Sequence, residues 1–340
     1  MLGALFAVLS AASFALNNAV MRRGVVTGSP IQGMAVSVPI GIVCFLPVVI
    51  ASGEIMRLPQ FPPVAVAWMA GVGILHFILG RYSNYRANQA AGVNLTAPVV
   101  QLQVVVALVL AVAVLGEPCT LLQAIGGLLI AVGSVITQRQ SPRRRAAAGA
   151  GRGIGASNLS APQSSRRPAF VPHYLAGYVF ACLAALAYGT TPIMARLALA
   201  DSGVAAGILG GLIAYVAASA VVGFALLLAP IRRHVMTIAP ENMRWFAYSG
   251  VFVAMAQGFF FAAVAIAPIL LVTPILQLSL VFRIVFSTWL NRDYELFGPL
   301  VIAGTTISVL GSLTVAIDTG VILHALAIPD ALARPLLWRV

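Results

Sequence analysis

Arg283 is the strongest candidate for a functional residue in this sequence, because it lies in the middle of a long apolar segment. It follows Pro274 by nine residues and is surrounded by Leu280, Val281 and Ile284. An ionisable side chain at that depth in a membrane is unfavourable and therefore marks a functional site by default. A guanidinium binds carboxylate or phosphate through a bidentate fork, which predicts anion recognition. The alternative is an arginine that pairs with helix-end carbonyls or extends to the membrane interface.

Arg81 is a second candidate, because it falls on one helix face with Asn84 and Tyr85 at 100° per residue. Gln257 occupies the equivalent position 176 residues later, so both halves carry a polar group there. We predict that this face lines a cavity. For the neighbouring Arg86, a place in an interfacial belt of tyrosine and arginine is an equally good interpretation.

Three amides complete the candidate site. Gln101 and Gln277 are equivalent positions in two apolar segments, and Asn17 lies within the first apolar segment. An amide that bonds between membrane helices contributes roughly 0.6 kcal/mol, so for the glutamines a role in joining the halves and a role in binding remain equal alternatives. A helix–helix contact is likewise an alternative for Asn17. The predicted substrate-binding set is Arg283, Arg81, Gln101, Gln277, Asn17 and Gln257.

The sequence carries no pattern typical of catalysis. All eight acidic residues fall at turns or in the tail, so no carboxylate proton relay is predicted inside a membrane span. His76 lies well inside a span, and a satisfied core imidazole is favoured there over a proton carrier. Gly-rich phosphate loops, His/Cys metal clusters and nucleophile motifs are missing from the sequence. We therefore expect no enzymatic activity, no metal and no cofactor.

The composition places these residues in an integral membrane protein. The chain is 61% hydrophobic and only 8% charged, whereas a soluble domain carries about 25% charged residues. The 20 basic residues are all arginine and give a net charge of +12. Because they lie mainly between apolar segments, they indicate cytoplasmic loops rather than nucleic-acid binding.

Ten apolar segments are each close to the roughly 20 residues that cross a bilayer. They form two sets of five, which predicts a first repeat at 1–138 and a second at 173–317. An Arg/Ser/Gly/Pro-rich flexible linker occupies 139–172, and a tail occupies 318–340. The predicted spans are 2–21, 31–51, 64–87, 93–115, 119–138, 174–199, 204–229, 245–266, 268–290 and 296–317.

The two sets are copies of one unit. Gln101 matches Gln277 at a separation of 176 residues, and Gly133 matches Gly311 at a separation of 178. The change of two residues falls at the turn between them, where an insertion is tolerated. An odd number of spans per copy inverts the second copy relative to the first, which is a transporter plan with the substrate path at the repeat interface.

The chain resembles the drug/metabolite transporter superfamily, in particular its members with two EamA-type repeats. The resemblance rests on Pro98, the Gly116-Glu117 turn and the glycine-spaced helix that follows, all repeated once; in the second copy Arg292-Asp293 replaces the expected Gly-Glu. It covers both halves without the linker and the tail. It implies an all-α, ten-helix secondary transporter in the cell (inner or plasma) membrane, with an exporter of an amino acid, another metabolite or a drug as the expected activity.

Some features stay open at this stage. The alternative function is a membrane scaffold or sensor that binds a partner or anionic lipid through the basic linker. Fifteen arginines in the odd loops against four in the even loops and the tail predict termini outside the cell, whereas the resemblance implies termini in the cytoplasm. The expected partners are a small-molecule substrate and the lipid bilayer, without nucleic acid, and a homodimer remains an alternative to a monomer.

Overall fold

The computed structural model describes residues 2–115, 120–150, 171–199, 203–266, 275–276, 278–291 and 299–316. The regular elements in these ranges are helices. A 3₁₀ segment, Glu54–Gln60, precedes α3, and a π-helical segment, Gly73–Gly80, separates α3 from α4. The α-helices are α1 Leu2–Thr27, α2 Pro30–Ala51, α3 Pro63–Val72, α4 Arg81–Ala91, α5 Val93–Val100, α6 Gln103–Leu115, α7 Leu121–Ala150, α8 Tyr174–Leu199, α9 Gly203–Leu227, α10 Ala229–Met236, α11 Pro240–Ile266, α12 Ser279–Leu290 and α13 Pro299–Ala316.

The start of α2 illustrates how the sequence satisfies a helix end beside a membrane. The backbone N–H of Gln32 donates to Ser29 Oγ at 3.2 Å, and the backbone N–H of Ser29 donates to Gln32 Oε1 at 3.0 Å. Pro30 occupies the first helical turn, where its missing N–H leaves no donor unpaired. This capping box therefore provides acceptors for backbone N–H groups at the start of α2, which the hydrocarbon of the membrane cannot provide.

The prediction of an all-helical membrane protein is confirmed. Within the described residues, six helical stretches are long and apolar enough to cross a bilayer, and they coincide with the first four, the sixth and the seventh predicted spans. Shorter apolar helices lie within the fifth, ninth and tenth, and α11 covers the eighth. The count of ten spans stays a prediction.

The last part of α7 runs into the segment predicted as a flexible linker. The helix continues to Ala150, twelve residues beyond the predicted boundary at 138. Residues 143–148 are three arginines followed by three alanines, which are among the best helix formers. Residues 151–170 lie outside the described ranges, and so does the C-terminal tail.

The main helix contacts join the first half of the chain to the second. Helix α1 packs on α11, and α4 packs on α8; α2 packs on α9, and α7 packs on α13. The first helix of each predicted repeat thus contacts the third helix of the other. The second helices contact each other, and so do the fifth.

Close backbone contacts between α7 and α13 depend on glycine. A Cβ atom on Gly133 would lie 2.5 Å from the Gly304 oxygen, and one on Gly311 would lie 2.6 Å from the Gly126 oxygen. Gly133 and Gly311 are equivalent in the duplication, and so are Gly126 and Gly304. The same contact is therefore made twice, once from each helix, as small residues allow in membrane helix pairs.

We predict that Gly133→Leu lowers the thermal unfolding temperature of the purified protein, because the new side chain would overlap the backbone of α13. Overpacking of this kind destabilises by roughly 1–3 kcal/mol. The matched control is Gly223→Leu in α9, where nothing lies within 4 Å of the added Cβ. Equal unfolding temperatures for the two variants would contradict the close contact.

Several helix ends meet at one end of the molecule. Ser29, before α2, lies 2.7 Å from His234 Nε2 in α10, and Thr27 Oγ1 donates to Asn242 Oδ1 in α11 at 2.8 Å. The His173 N–H, just before α8, donates to the Ala90 oxygen of α4 at 2.7 Å. We call this the α10 end.

Candidate functional site

Two interrupted helices position the candidate site. The third predicted span consists of α3, the π-helical segment and α4, so its helical register changes immediately before Arg81. The fourth predicted span is interrupted at Gln101 and Leu102, between α5 and α6. π-helical turns inside α-helices are frequent at functional sites, because they redirect side chains and free backbone groups.

A cavity of about 240 Å³ lies between these interruptions and helices from the second half of the chain. Helices α1, α4 and α8 and the π-helical segment contribute to its wall, as do the α5–α6 break, α11 and α12. Most of the wall is polar or aromatic. The lining residues are Phe14, Asn17, Asn18, His76, Arg81, Asn84, Tyr85, Val100, Gln101, Gln103, Tyr188, Val253, Leu276, Ser279 and Arg283.

Arg81 is buried at the cavity wall, with 4% of its surface exposed. Its Nη1 donates to Ser37 Oγ at 3.3 Å, and its guanidinium carbon lies 5.6 Å from the centre of the Phe77 ring. The hydroxyl and the aromatic ring hold the side chain in place, but neither carries a negative charge. The guanidinium therefore keeps donors and a full positive charge for a further partner.

Arg283 enters the same cavity from α12. Ser279 lies one turn earlier on the same face of α12, and both side chains line the cavity. The Nε of Arg283 is buried and has no hydrogen-bond partner. Neither a hydrogen bond nor an ion pair joins this side chain to the residues that the structure describes.

A hydrogen-bonded chain connects Arg81 to Asn17 across the two halves. Beyond Ser37, the Tyr85 hydroxyl lies 3.0 Å from Ser37 Oγ and 3.1 Å from Ser249 Oγ, and Ser249 Oγ donates to Asn17 Oδ1 at 2.6 Å. Arginine only donates, and Asn17 Oδ1 only accepts. Each hydroxyl proton must therefore point from the Arg81 end towards Asn17, and all three hydroxyl-bearing residues are buried.

Gln101 contacts the cavity and also joins the two halves. Its Nε2 donates to Ser312 Oγ of α13 at 3.0 Å. The two roles considered for it from the sequence, substrate contact and connection between halves, are thus compatible. On the opposite wall, Asn84 Nδ2 donates to Asn18 Oδ1 at 3.3 Å.

His76 separates the first cavity from a neighbouring one. Its Nδ1 forms a hydrogen bond of 3.2 Å with Thr191 Oγ1, and its ring lies 4.6 Å from that of Tyr188. These contacts agree with the interpretation of a satisfied imidazole, although the ring also lines a cavity. The second cavity has a volume of about 250 Å³, is mostly apolar, and includes Gln257 and Tyr215 in its wall.

The structure thus brings together four of the six residues predicted for the site. Asn17, Arg81, Gln101 and Arg283 line the first cavity. Gln257 lines the second cavity, and Gln277 lies outside the described residues. Whether any of them binds a substrate stays a prediction.

Sequence reasoning missed three polar wall residues, Gln103, Tyr188 and Ser279. A signal existed for Tyr188, because it is the repeat equivalent of Phe14, which also lines the cavity. Ser279 lies four residues before Arg283, a helical spacing that places both on one face. Gln103 follows the α5–α6 break, and the sequence does not indicate that its side chain faces the cavity.

The cavity wall is cationic and lacks a compensating acid. None of the described lining residues is Asp or Glu. The ion pair found in the described part of the chain joins Arg57 and Glu54 at 3.5 Å, at the loop between α2 and α3. Two guanidiniums therefore face one cavity of about 240 Å³ in a low-dielectric surrounding, where their attraction for an anion is strong.

The long apolar helices indicate a multi-pass integral membrane protein. Residues 1–139 match the sequence model of the EamA-like transporter family, which is part of the drug/metabolite transporter superfamily. The resemblance noted from the sequence is confirmed over these residues. The family's function is transport rather than catalysis.

A solved structure described only as the crystal structure of a protein is similar to the whole chain. It is 15% identical, covers 96% of this chain and 99% of its own, and superimposes with a TM-score of 0.57. At this identity the similarity concerns the fold alone. No curated protein matches the chain.

Proposed function

We propose that this protein is a secondary transporter of a small organic anion that binds in the first cavity. This proposal rests on the observation that Arg81 and Arg283 line one cavity without a carboxylate partner among the described residues. A buried cation is unfavourable unless it is paired. Arg81 is buried, and Arg283 is half-buried with a buried Nε. A carboxylate or phosphate between them would pair both charges.

The remaining wall fits such a ligand. Carboxylate and phosphate oxygens accept hydrogen bonds, and the side-chain amides of Asn84 and Gln103 and the hydroxyls of Tyr188 and Ser279 can donate them. A neutral or cationic substrate would leave the two charges unpaired. The wall therefore favours an anion by several kcal/mol over a cation of the same shape.

Alternating access between two inverted five-helix repeats is the mechanism that the packing supports. The cavity wall takes residues from both halves, as expected for a site at a repeat interface. The reciprocal contacts of α1 with α11 and of α4 with α8 are those that a pseudo-two-fold axis would generate. Rocking of one repeat against the other would expose the cavity to each side in turn, with export as the expected direction.

The proposal is tested by flux into and out of proteoliposomes that contain the purified full chain. The panel contains a small dicarboxylate, an organic phosphate, a neutral amino acid and a lipophilic cation. We expect trans-stimulated exchange of at least one anion and no exchange of the cation. Exchange limited to the neutral or cationic compound would show a carrier of a different substrate class.

The absence of flux for every compound would favour the alternative of a scaffold or sensor. Deletion of residues 145–165 is a separate test of the two functions, in which binding of anionic lipid is measured beside exchange. A transporter should retain its exchange activity without this segment, whereas a scaffold that uses the basic linker should lose its partner or its lipid contact.

A further inference from the structure

An apolar groove on the side of the molecule is separate from both cavities described above. It has a volume of about 280 Å³ and lies between α2, the π-helical segment, α9 and α10. Its wall is aliphatic except for Tyr82, and wall residues such as Ile31, Ile74 and Leu79 are exposed. The groove therefore opens laterally, towards the hydrocarbon of the bilayer.

The short helix α10 closes one end of this groove. Ile231 and Val235, one turn apart, belong to the groove wall, while Arg232 and Arg233 are exposed beside them. The helix is thus amphipathic, with an apolar face towards the groove and a basic face towards solvent or lipid headgroups.

Hydrogen bonds hold α10 in this position. Gln32 Nε2 donates to the His234 oxygen at 2.9 Å, and Ser29 Oγ lies 2.7 Å from His234 Nε2. The basic face of α10 is therefore fixed at one end of an apolar groove of the same molecule.

The charge at this end is complementary to an anionic lipid. Besides the two arginines of α10, Arg244 near the start of α11 is exposed at the α10 end. Arginine pairs with a phosphodiester through its planar fork, and clusters of basic residues next to membrane helices recognise anionic headgroups. The positive-inside rule expects such a surface at the cytoplasmic leaflet, where anionic lipids are enriched.

We propose that this groove binds one anionic membrane phospholipid. One acyl chain lies along the aliphatic wall between α2 and α9, and the phosphate contacts Arg232 and Arg233. The lipid anchors α10, α2 and the π-helical segment to one leaflet. Because this segment also carries His76 at the wall of the first cavity, the bound lipid contacts an element that also forms part of that wall.

Native mass spectrometry of the full chain in detergent tests the proposal. The protein is titrated with dioleoyl phosphatidylglycerol, with dioleoyl phosphatidylcholine, and with glycerophosphoglycerol, the deacylated headgroup. We expect one phosphatidylglycerol to bind at least tenfold more tightly than phosphatidylcholine, and no binding of the headgroup alone. Equal binding of the two lipids, or binding of the free headgroup, would overturn the proposal.

Two sets of variants locate the site. Arg232→Gln/Arg233→Gln should weaken phosphatidylglycerol binding by roughly tenfold or more, whereas the control Arg57→Gln removes an exposed arginine that does not belong to the α10 end and should not. Ala225→Phe or Ala35→Phe, each at a half-buried position of the groove wall, should block the acyl chain. The groove is excluded as the site if both phenylalanine variants bind lipid normally, or if a lipid-free dimer of the chain occupies it.

Discussion

Replacement of Arg283 by glutamine is expected to lower anion exchange by roughly 30-fold or more, with the loss concentrated in apparent affinity. Truncation of one member of a buried charge pair reduces binding by about 2–5 kcal/mol, and each 1.4 kcal/mol is a factor of ten. Glutamine keeps the aliphatic stem as far as Cδ and two N–H donors, but it is shorter than arginine and carries no charge. The measurement is the initial rate of exchange in proteoliposomes over a range of anion concentrations.

The matched control is Arg57→Gln. Arg57 is exposed, lies in the 3₁₀ segment between α2 and α3, and is paired with Glu54. Its replacement should leave exchange unchanged. If Arg283→Gln retains full anion exchange, then Arg283 has a structural role and the first cavity is not an anion site of the kind proposed.

The same substitution should not destabilise the unliganded protein. The Arg283 side chain forms no hydrogen bond or ion pair with the described residues, so its removal breaks no such interaction. Loss of a desolvated and unpaired charge is neutral or stabilising. The unfolding temperature of the variant without substrate should therefore equal or exceed that of the native protein, whereas the upward shift produced by a saturating anion should disappear.

The position of Arg283 was predictable from the sequence, because one charge in a long apolar segment is a strong signal. The same applies to Arg81, whose neighbours at helical spacing share its face. The sequence alone could not show that Arg81 and Arg283 line the same cavity. Arg81 follows a π-helical segment, and the register change that aims it into the cavity has no signature in apolar periodicity.

The predicted repeat rests on matched positions, and it also explains why Gln257 was grouped with Arg81. Gln257 was assigned to the site as the repeat equivalent of Arg81, yet it lines the second cavity, with His76 between the two spaces. Equivalent residues of duplicated helices are expected at equivalent depths in the membrane. They can still line different cavities when one helix is interrupted and its equivalent is not. In the described residues a π-helical segment occurs in the third predicted span, whereas α11 runs as a single helix from Pro240 to Ile266.

The pairing of α7 with α13 was not derivable from the separation of 178 residues alone. Duplication predicts equivalent helices, and their mutual contact follows only from the arrangement of the two copies. The glycines supply the physical reason, because Gly133 and Gly311 allow the two backbones to approach closely. Their spacing was visible in the sequence, but the partner of each glycine was not.

A double substitution of Arg81 and Arg283 should lose less affinity than the sum of the two single losses. If both guanidiniums hold the same carboxylate or phosphate, removal of one already leaves the anion poorly bound, so removal of the second has a smaller effect. Residues that share a ligand in this way couple by about 0.5–3 kcal/mol. The measurement is the apparent affinity for the anion in the native protein, in Arg81→Gln, in Arg283→Gln and in the double variant.

To interpret the affinities of the single and double variants, the effect of the Arg81 charge must be separated from the effect of its hydrogen bond to Ser37. Ser37→Ala removes that bond and interrupts the chain to Asn17, but it leaves the guanidinium in place. Arg81→Lys keeps the charge without the planar fork. We expect Ser37→Ala to retain most of the affinity and Arg81→Lys to retain part of it, with Arg81→Gln weakest of the three. Strictly additive losses for the two arginines would mean that they contact different ligands or act at different steps, because two cations on one bound anion cannot be energetically independent.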